Sequence, residues 1–211
     1  MDHSYSHSGV ASRLLLTREP STSANPTDAE LVVASVRDPD AFTQLFERHW
    51  EALFRFCQSR AGSAGEDIAA EAFRVAFDRR RRYDASYADS RPWLFGIATN
   101  LLRDHFRSAR REEQKLTRSA TLDALAQTEG ELDQLERQLL GPQLAGALRG
   151  LPAGDRDALL LLAWADLDYE QIAQALDVPL GTVRSRIHRA RQRVRDYLDT
   201  QDDHAMNGAR T

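Results

Sequence analysis

Asp168-Tyr-Glu-Gln-Ile-Ala-Gln-Ala-Leu-Asp-Val-Pro-Leu-Gly-Thr-Val-Arg-Ser-Arg-Ile-His-Arg-Ala-Arg-Gln-Arg-Val-Arg-Asp-Tyr-Leu198 reads as two helices separated by a short turn. Asp168 is placed to cap the first helix, Ile172 and Leu176 are apolar at helical spacing, and Ala173 is small where a second helix passes close. Pro179 breaks the pattern because a proline inside a helix forfeits a hydrogen bond, and Asp177 is a residue type that tolerates a left-handed backbone. Thr182 is placed to cap the second helix, in which Val183, Ile187, Ala190, Val194 and Leu198 form one buried stripe. The remaining positions are cationic: Arg184, Arg186, Arg189, Arg191, Arg193 and Arg195, with Ser185 and His188 among them. Guanidinium groups suit phosphate oxygens and the O6/N7 edge of guanine, and a helix fits the major groove of B-DNA. The pattern is that of a helix-turn-helix with a basic recognition helix. The bland alternative is a solvated, arginine-rich helix end. Against it, no acidic residue interrupts the run from Arg184 to Arg195, although the chain carries a net charge of -4.

Working outward, 211 residues with 42% hydrophobic content can bury one ordinary core or two small ones, and two small ones are expected here. A net acidic chain does not coat nucleic acid indiscriminately, so its basic character must lie in patches. Cys57 is the only cysteine, which excludes an internal disulfide and a cysteine cluster for zinc or iron-sulfur; a buried, inert thiol is expected, with no cofactor and no metal. The apolar run from Val10 to Leu16 is cut by Arg13 and is too short for a signal segment, and no run of about 18 apolar residues occurs elsewhere. A soluble, cytoplasmic protein is expected.

In chain order, residues 1–26 have the composition of a disordered extension. Thr27 to Glu30 fits a capping box, and Asp38-Pro39 opens the next helix as cap and first turn. Phe42, Leu45, Phe46, His49, Trp50, Leu53 and Phe56 make a wide apolar face, on which His49 is a packed histidine rather than a metal ligand. After a loop from Ser59 to Gly65, a helix from Glu66 to Asp78 turns Ile68, Ala72, Val75 and Ala76 inward and Glu66, Asp67, Glu71, Arg74 and Asp78 outward. Asp67 and Glu71, four apart, share a face; such a pair can serve an enzyme, a solvated surface or a partner. A basic run, Arg79 to Arg82, and a polar loop with Tyr83 and Tyr87 precede a helix opened by Ser90-Arg91-Pro92. That helix, Trp93 to Arg111, buries Leu94, Ile97, Ala98, Leu101 and Leu102 and carries Asn100, Arg103, Asp104, Arg107 and Arg111 on another face, where a nucleic-acid strand can lie with aromatic rings to stack on its bases. Residues 112–137 read as an acidic, flexible linker. Leu144, Ala147, Leu148 and Leu151 begin a second helical unit, Asp155 is placed to cap its next helix, and residues 199–211 read as a frayed tail.

With both halves in view, the chain resembles the extracytoplasmic-function (ECF) sigma factors of the sigma-70 family. Asp40-Ala-Phe42, Leu45-Phe46, Glu66-Asp67-Ile68, Glu71-Ala72-Phe73 and Pro92-Trp93-Leu94-Phe95-Gly-Ile-Ala-Thr-Asn100 are similar to sigma region 2. Leu151-Pro152, Tyr169-Glu-Gln-Ile172-Ala173, Gly181-Thr-Val-Arg-Ser-Arg186 and Arg189-Ala-Arg191 are similar to region 4. The resemblance implies an all-α fold of two small helical domains: region 2 over 27–111 and region 4 over 138–198, joined by the linker. It implies no enzyme, but a factor that binds core RNA polymerase and promoter DNA and is monomeric when free. Glu66, Asp67, Glu71 and Arg74 would meet the clamp of the β′ subunit, and region 4 the flap of the β subunit. Trp93, Asn100, Arg103, Asp104, Arg107 and Arg111 would hold the melted minus-ten strand, while Thr182, Arg184, Ser185, Arg186, His188 and Arg189 would read the minus-thirty-five duplex. An anti-sigma partner is a further possibility that the resemblance raises. Three positions depart from the family pattern: Ala70 where Gln is usual, Asp177 where Gly or Asn is usual, and Asp168 where Ser is frequent.

Two rivals make different demands. A stand-alone helix-turn-helix regulator would be a symmetric dimer on a palindromic site. An enzyme built on Asp67 and Glu71 would need a divalent metal.

Overall fold

The computed structural model describes residues 25–117 and 142–208, and among these the regular structure is helical. The first unit contains α1 (Asp28–Ala34), α2 (Ala41–Ala61), α3 (Gly65–Arg79) and α4 (Arg91–Thr117). The second contains α5 (Pro142–Arg149), α6 (Ala153–Trp164), α7 (Tyr169–Leu176) and α8 (Leu180–Gly208). The expected capping box forms at α1: Thr27 Oγ1 accepts from the Glu30 amide at 3.2 Å and Glu30 Oε2 accepts from the Thr27 amide at 2.7 Å.

Several boundaries differ from the sequence reading, each for a local reason. Asp38 caps only a turn, its Oδ1 accepting from the Asp40 amide at 3.2 Å, and α2 starts at Ala41. The Ser59–Gly65 stretch is not a loop, because α2 continues to Ala61 and a single 3-10 turn, Gly62–Ala64, leads into α3. Ser90 does not cap α4; its hydroxyl donates to Asp28 at 2.9 Å. Asp155 does not cap α6 either, since it lies in the first turn behind Pro152. Helix α4 runs past Arg111 to Thr117, and α8 continues to Gly208 where a frayed tail was expected. The extension before residue 25 and most of the linker lie outside the described residues.

Two separate cores were expected. Instead, buried residues of both units, from Val32 and Phe56 to Ile172 and Ile187, form one continuous apolar cluster. The reason is the packing of α4 on α7, where the backbones approach so closely that a Cβ on Gly96 would stand 2.6 Å from the Ala175 carbonyl oxygen. Cys57 is buried in this core, and burial pushes its thiol up to about 12, so it is neutral and inert.

His49 is packed, as its position on the apolar face of α2 implied, and Asp28 is its partner. Asp28 Oδ2 lies 2.7 Å from His49 Nε2 and accepts from the Ser90 amide at 3.1 Å, while Oδ1 accepts from Arg48 at 3.2 Å. One carboxylate thus ties α1 to α2 and to the start of α4. Burial opposes its ionisation, but the His49 contact and the two Ser90 bonds outweigh burial and hold the carboxyl well below the usual aspartate range. A depressed folded-state pKa stabilises the fold above the unfolded value of about 4, and that contribution is lost as pH falls toward the folded-state value. Asp28→Asn is therefore expected to lower the melting temperature by about 5 °C at pH 7. In melts followed by circular dichroism, the gap to the unsubstituted protein should narrow at pH 3; a gap independent of pH would contradict the assignment.

Candidate nucleic-acid interface

The helix-turn-helix forms as its residues dictate. Asp168 Oδ1 accepts from the Gln171 amide at 2.8 Å and Gln171 Oε1 accepts from the Asp168 amide at 2.9 Å, a reciprocal cap that fixes the start of α7. Asp177 ends it in the left-handed region, with φ 50° and ψ 54°. Helix α8 begins at Leu180, so Thr182 sits inside the first turn and does not cap it; its carbonyl oxygen accepts from Ser185 Oγ at 2.9 Å. Val183, Ile187 and Ala190 are buried, which turns Arg184, Ser185, His188, Arg191 and Arg193 to solvent.

Two arginines of the predicted recognition set lie against α6. Arg189 donates from Nη2 to Asp155 Oδ1 at 2.8 Å and from Nε to Oδ2 at 3.1 Å, in a two-pronged bond to the largely buried carboxylate expected to be a cap. That hydrogen bond raises the Arg189 pKa. Arg186 is half-buried beside Gly154, where a Cβ would come within 3.1 Å of its guanidinium carbon. Of the predicted set Arg184, Ser185, His188 and Arg189 are exposed, and Arg189 in addition braces α8 on α6.

On α4, Asn100, Arg103, Asp104, Arg107 and Arg111 do form one stripe. Arg103 donates to Asn100 Oδ1 at 3.3 Å, Arg107 pairs with Asp104 at 3.3 Å, and Arg111 donates to the Arg107 carbonyl at 3.2 Å. Asn100, Asp104, Arg107 and Arg111 are exposed, whereas Arg103 leans inward and donates from Nε to Asp157 Oδ2 of α6 at 2.7 Å. Trp93 lies at the other end of the helix with its ring 4.9 Å from that of Tyr83. Burial and the nearby carboxylates of Asp28, Asp89 and Asp84 push the Tyr83 hydroxyl up to about 12, and it donates to the Tyr87 carbonyl at 2.6 Å, shaping the loop between Tyr83 and Asp89. The basic run that precedes this loop is a 3-10 turn in which Arg80 lies 3.7 Å over the Phe77 ring.

The acidic set stands apart, on α3. Glu66 and Asp67 are exposed in the first turn. Glu71 is not joined to Asp67: Arg74 donates to it from Nη2 at 2.6 Å and from Nε at 2.7 Å, and from Nη1 to Asp78 at 2.7 Å. This hydrogen bond lowers the Glu71 pKa, so the residue is a standing anion rather than a poised base. Beside it lies an apolar groove lined by Pro39, Phe42, Phe46, Phe73, Arg74 and Phe77. Phe46, read from sequence as core, is 37% exposed and stacks on Trp50 with centroids 4.9 Å apart. Nothing in the alternation of α2 distinguished this rim residue from its buried neighbours.

An all-helical chain with a helix-turn-helix and a second, separate basic helix defines the class as a nucleic-acid-binding protein with two contact regions. The family description "Sigma-70 region 2" matches residues 45–112, and "Sigma-70, region 4" matches residues 143–194. The ECF RNA polymerase sigma factor SigM of Mycobacterium tuberculosis is 32% identical over 182 residues, a match covering 82% of this chain and 87% of that protein. SigE of Mycolicibacterium smegmatis is 33% identical over 161 residues, covering 75% of this chain and 62% of that protein. In three dimensions the chain is similar to CnrH solved in complex with the cytosolic domain of CnrY, with a TM-score of 0.60 and 25% identity over 82% of this chain and 97% of that one.

The chain belongs to the ECF sigma factors of the sigma-70 family, which direct promoter-specific transcription initiation. Matches to both sigma regions displace the reading as a stand-alone regulator. Among the described residues no helix is long and apolar enough to cross a membrane, and no group of three metal-ligating side chains occurs.

Proposed function

We propose that this factor docks on core RNA polymerase through the α2–α3 face and reads two promoter elements with two separate helices. Glu66, Asp67, Glu71 and Arg74 meet the clamp of the β′ subunit, and region 4 meets the flap of the β subunit. The apolar groove beside Arg74 supplies contact area that the carboxylates alone would lack, since interfaces draw affinity from buried aromatic anchors and specificity from charge. On DNA, Arg184, Ser185 and His188 face bases of the upstream duplex; Asn100, Arg107 and Arg111 hold the melted strand, and Trp93 with Tyr83 and Tyr87 flanks an unpaired base. Its place of action is the cytoplasm, it acts by binding and not by catalysis, and an anti-sigma protein is a partner it could take, as the sigma factor RpoE is solved with the anti-sigma factor NepR from Bartonella quintana.

The observation that carries this reading is the segregation of charge: one cationic helical face in each unit, and on a third face the carboxylates of α3 beside an aromatic groove. Replacing Glu66 and Asp67 together by lysine should weaken binding to core polymerase on the order of tenfold, measured by native electrophoresis, with the helical content unchanged. Equal binding by the two proteins would remove the acidic face from the interface. A net acidic factor divided in this way should also bind duplex promoter DNA weakly by itself, and tightly only when polymerase fixes both regions at once. Tight binding of a promoter duplex by the free protein at physiological salt would contradict that division of labour.

A further inference from the structure

Phe46, Trp50 and Phe54 follow one another at four-residue steps on α2 and stack in a row, with ring centroids 4.9 Å and 5.9 Å apart. Phe73 of α3 closes the row from the side, 4.9 Å from Phe46. The groove lined by Phe42, Phe46, Phe73 and Phe77 lies at one end of this row, and Phe46 is 37% exposed there. A contiguous aromatic patch of this kind on a free chain marks a docking surface. Its rim is acidic. Asp38 and Asp40 flank Pro39 of the lining, and Glu47 stands one turn beyond Thr43, exposed and without an ion pair among the described residues. The cations at the rim are committed: Arg74 answers Glu71 and Asp78, while Arg80 lies over the Phe77 ring and donates to the carbonyls of Ser35 and Phe77. Such a groove selects an apolar segment that brings its own arginines.

One segment of this chain has that chemistry. Residues 1–24 are mostly polar, yet they include the apolar block Leu14-Leu15-Leu16, with Arg13 before it and Arg18 after it. The described chain also begins beside the right helix, because the Pro26 carbonyl accepts from Arg48 Nη1 of α2 at 2.7 Å. Residues 17–24 can span about 25 Å when extended, against a helix diameter of about 10–12 Å, so Leu16 can reach from Pro26 around α2 to Phe46.

We propose that residues 13–18 seat their leucines in the α2–α3 groove of the free chain, as an internal competitor that core polymerase must displace. The inference rests on the reading of the α2–α3 face as the polymerase contact. Leu14, Leu15 and Leu16 cover the phenyl rings, and Arg13 and Arg18 meet the carboxylates of Glu47 and of the residues flanking Pro39. A short tether supplies an effective concentration on the order of a millimolar, so a segment with an intrinsic Kd of about 0.1 mM leaves the groove open in about one molecule in ten. The apparent affinity for polymerase falls by that fraction.

The test uses the full chain with the photoreactive residue p-benzoylphenylalanine placed at Thr43, which is exposed at the groove. Irradiation of the dilute protein should join residue 43 to the tryptic peptide 14–18 of the same chain. Leu14→Ser, Leu15→Ser and Leu16→Ser together should abolish that cross-link and leave the helical content unchanged, since the substitutions precede the described helices. In a chain with Thr43 intact, the same triple variant should bind core polymerase about tenfold more tightly, because the whole population is then open. Absence of the cross-link to residues 13–18 overturns the proposal. A cross-link between two chains that grows with protein concentration overturns it too, by giving the groove to a second copy. Loss of the cross-link without a gain in polymerase affinity overturns the competition. Cross-linking needs no polymerase, so an occupied groove in a chain that binds no polymerase, with or without its leucines, would count against the docking reading and not against the occupancy.

Discussion

Replacing Arg184, Ser185 and His188 by alanine in one chain is expected to abolish use of the upstream promoter element while leaving polymerase binding intact. All three are exposed on α8, on the side opposite the buried Val183, Ile187 and Ala190, so removing them opens no cavity. A good side-chain contact to a base edge contributes about 1–3 kcal/mol of discrimination, and three lost together amount to a reduction on the order of a hundredfold or more in promoter-specific initiation. Arg189 is left out of the set deliberately. Its two bonds to Asp155 brace α8 on α6, and its loss would mix a folding defect with a binding one. Transcription from a promoter carrying the upstream element should fall to the level given by a template lacking it; retained dependence on that element would move the reading surface away from this part of α8.

Gly65→Ala should have the largest effect on folding. Gly65 lies where α2 turns into α3, and a Cβ there would stand 2.4 Å from the Gln58 Cα, 2.5 Å from the Gln58 nitrogen and 2.9 Å from the Cys57 carbonyl carbon. All three are backbone atoms, so no rotamer change relieves the clash and the two helices must separate. Overpacking of this kind costs about 3 kcal/mol or more and should lower the melting temperature by about 10 °C. Because Glu66 and Asp67 follow immediately, their displacement should weaken polymerase binding as well. Gly181 is the matched comparison: a Cβ there meets nothing within 4 Å, and alanine inside a helix is favoured over glycine by about 0.5–1 kcal/mol. Gly181→Ala should therefore leave the melting temperature unchanged or raise it slightly; a similar loss at both positions would show that the crowding at Gly65 is not the cause.

What could be read from the sequence was local. Asp168, Asp177 and the stripe of Val183, Ile187 and Ala190 specify the helix-turn-helix within a few residues of themselves, and they fold as their types require. Thr182 and Asp155 show the limit of the same reasoning. Both are capping types near helix starts, but Pro179 and Pro152 set those starts earlier, so Thr182 became a first-turn residue and Asp155 the anchor for Arg189. The acidic face of α3 was visible as periodicity. Its aromatic groove was not, because Phe46 and Trp50 fall on the same helical face as the buried Leu45 and Leu53, and only the position of α3 decides which rings reach solvent. The Arg60–Asp157–Arg103 bridge lay beyond sequence reasoning altogether. Its members, Arg60 of α2, Arg103 of α4 and Asp157 of α6, are distant in the chain, each an ordinary charged residue in its own helix, and only the packing of the first unit on the second brings them together.

Run-off transcription with purified bacterial core RNA polymerase, with and without this chain, on fragmented DNA from its own source, tests the central claim most directly. The account predicts discrete new start sites that depend on the protein, preceded by two unlike, spaced sequence elements. If core polymerase neither binds the chain nor changes its start sites, the docking face on α2 and α3 and the promoter roles of α4 and α8 are wrong together.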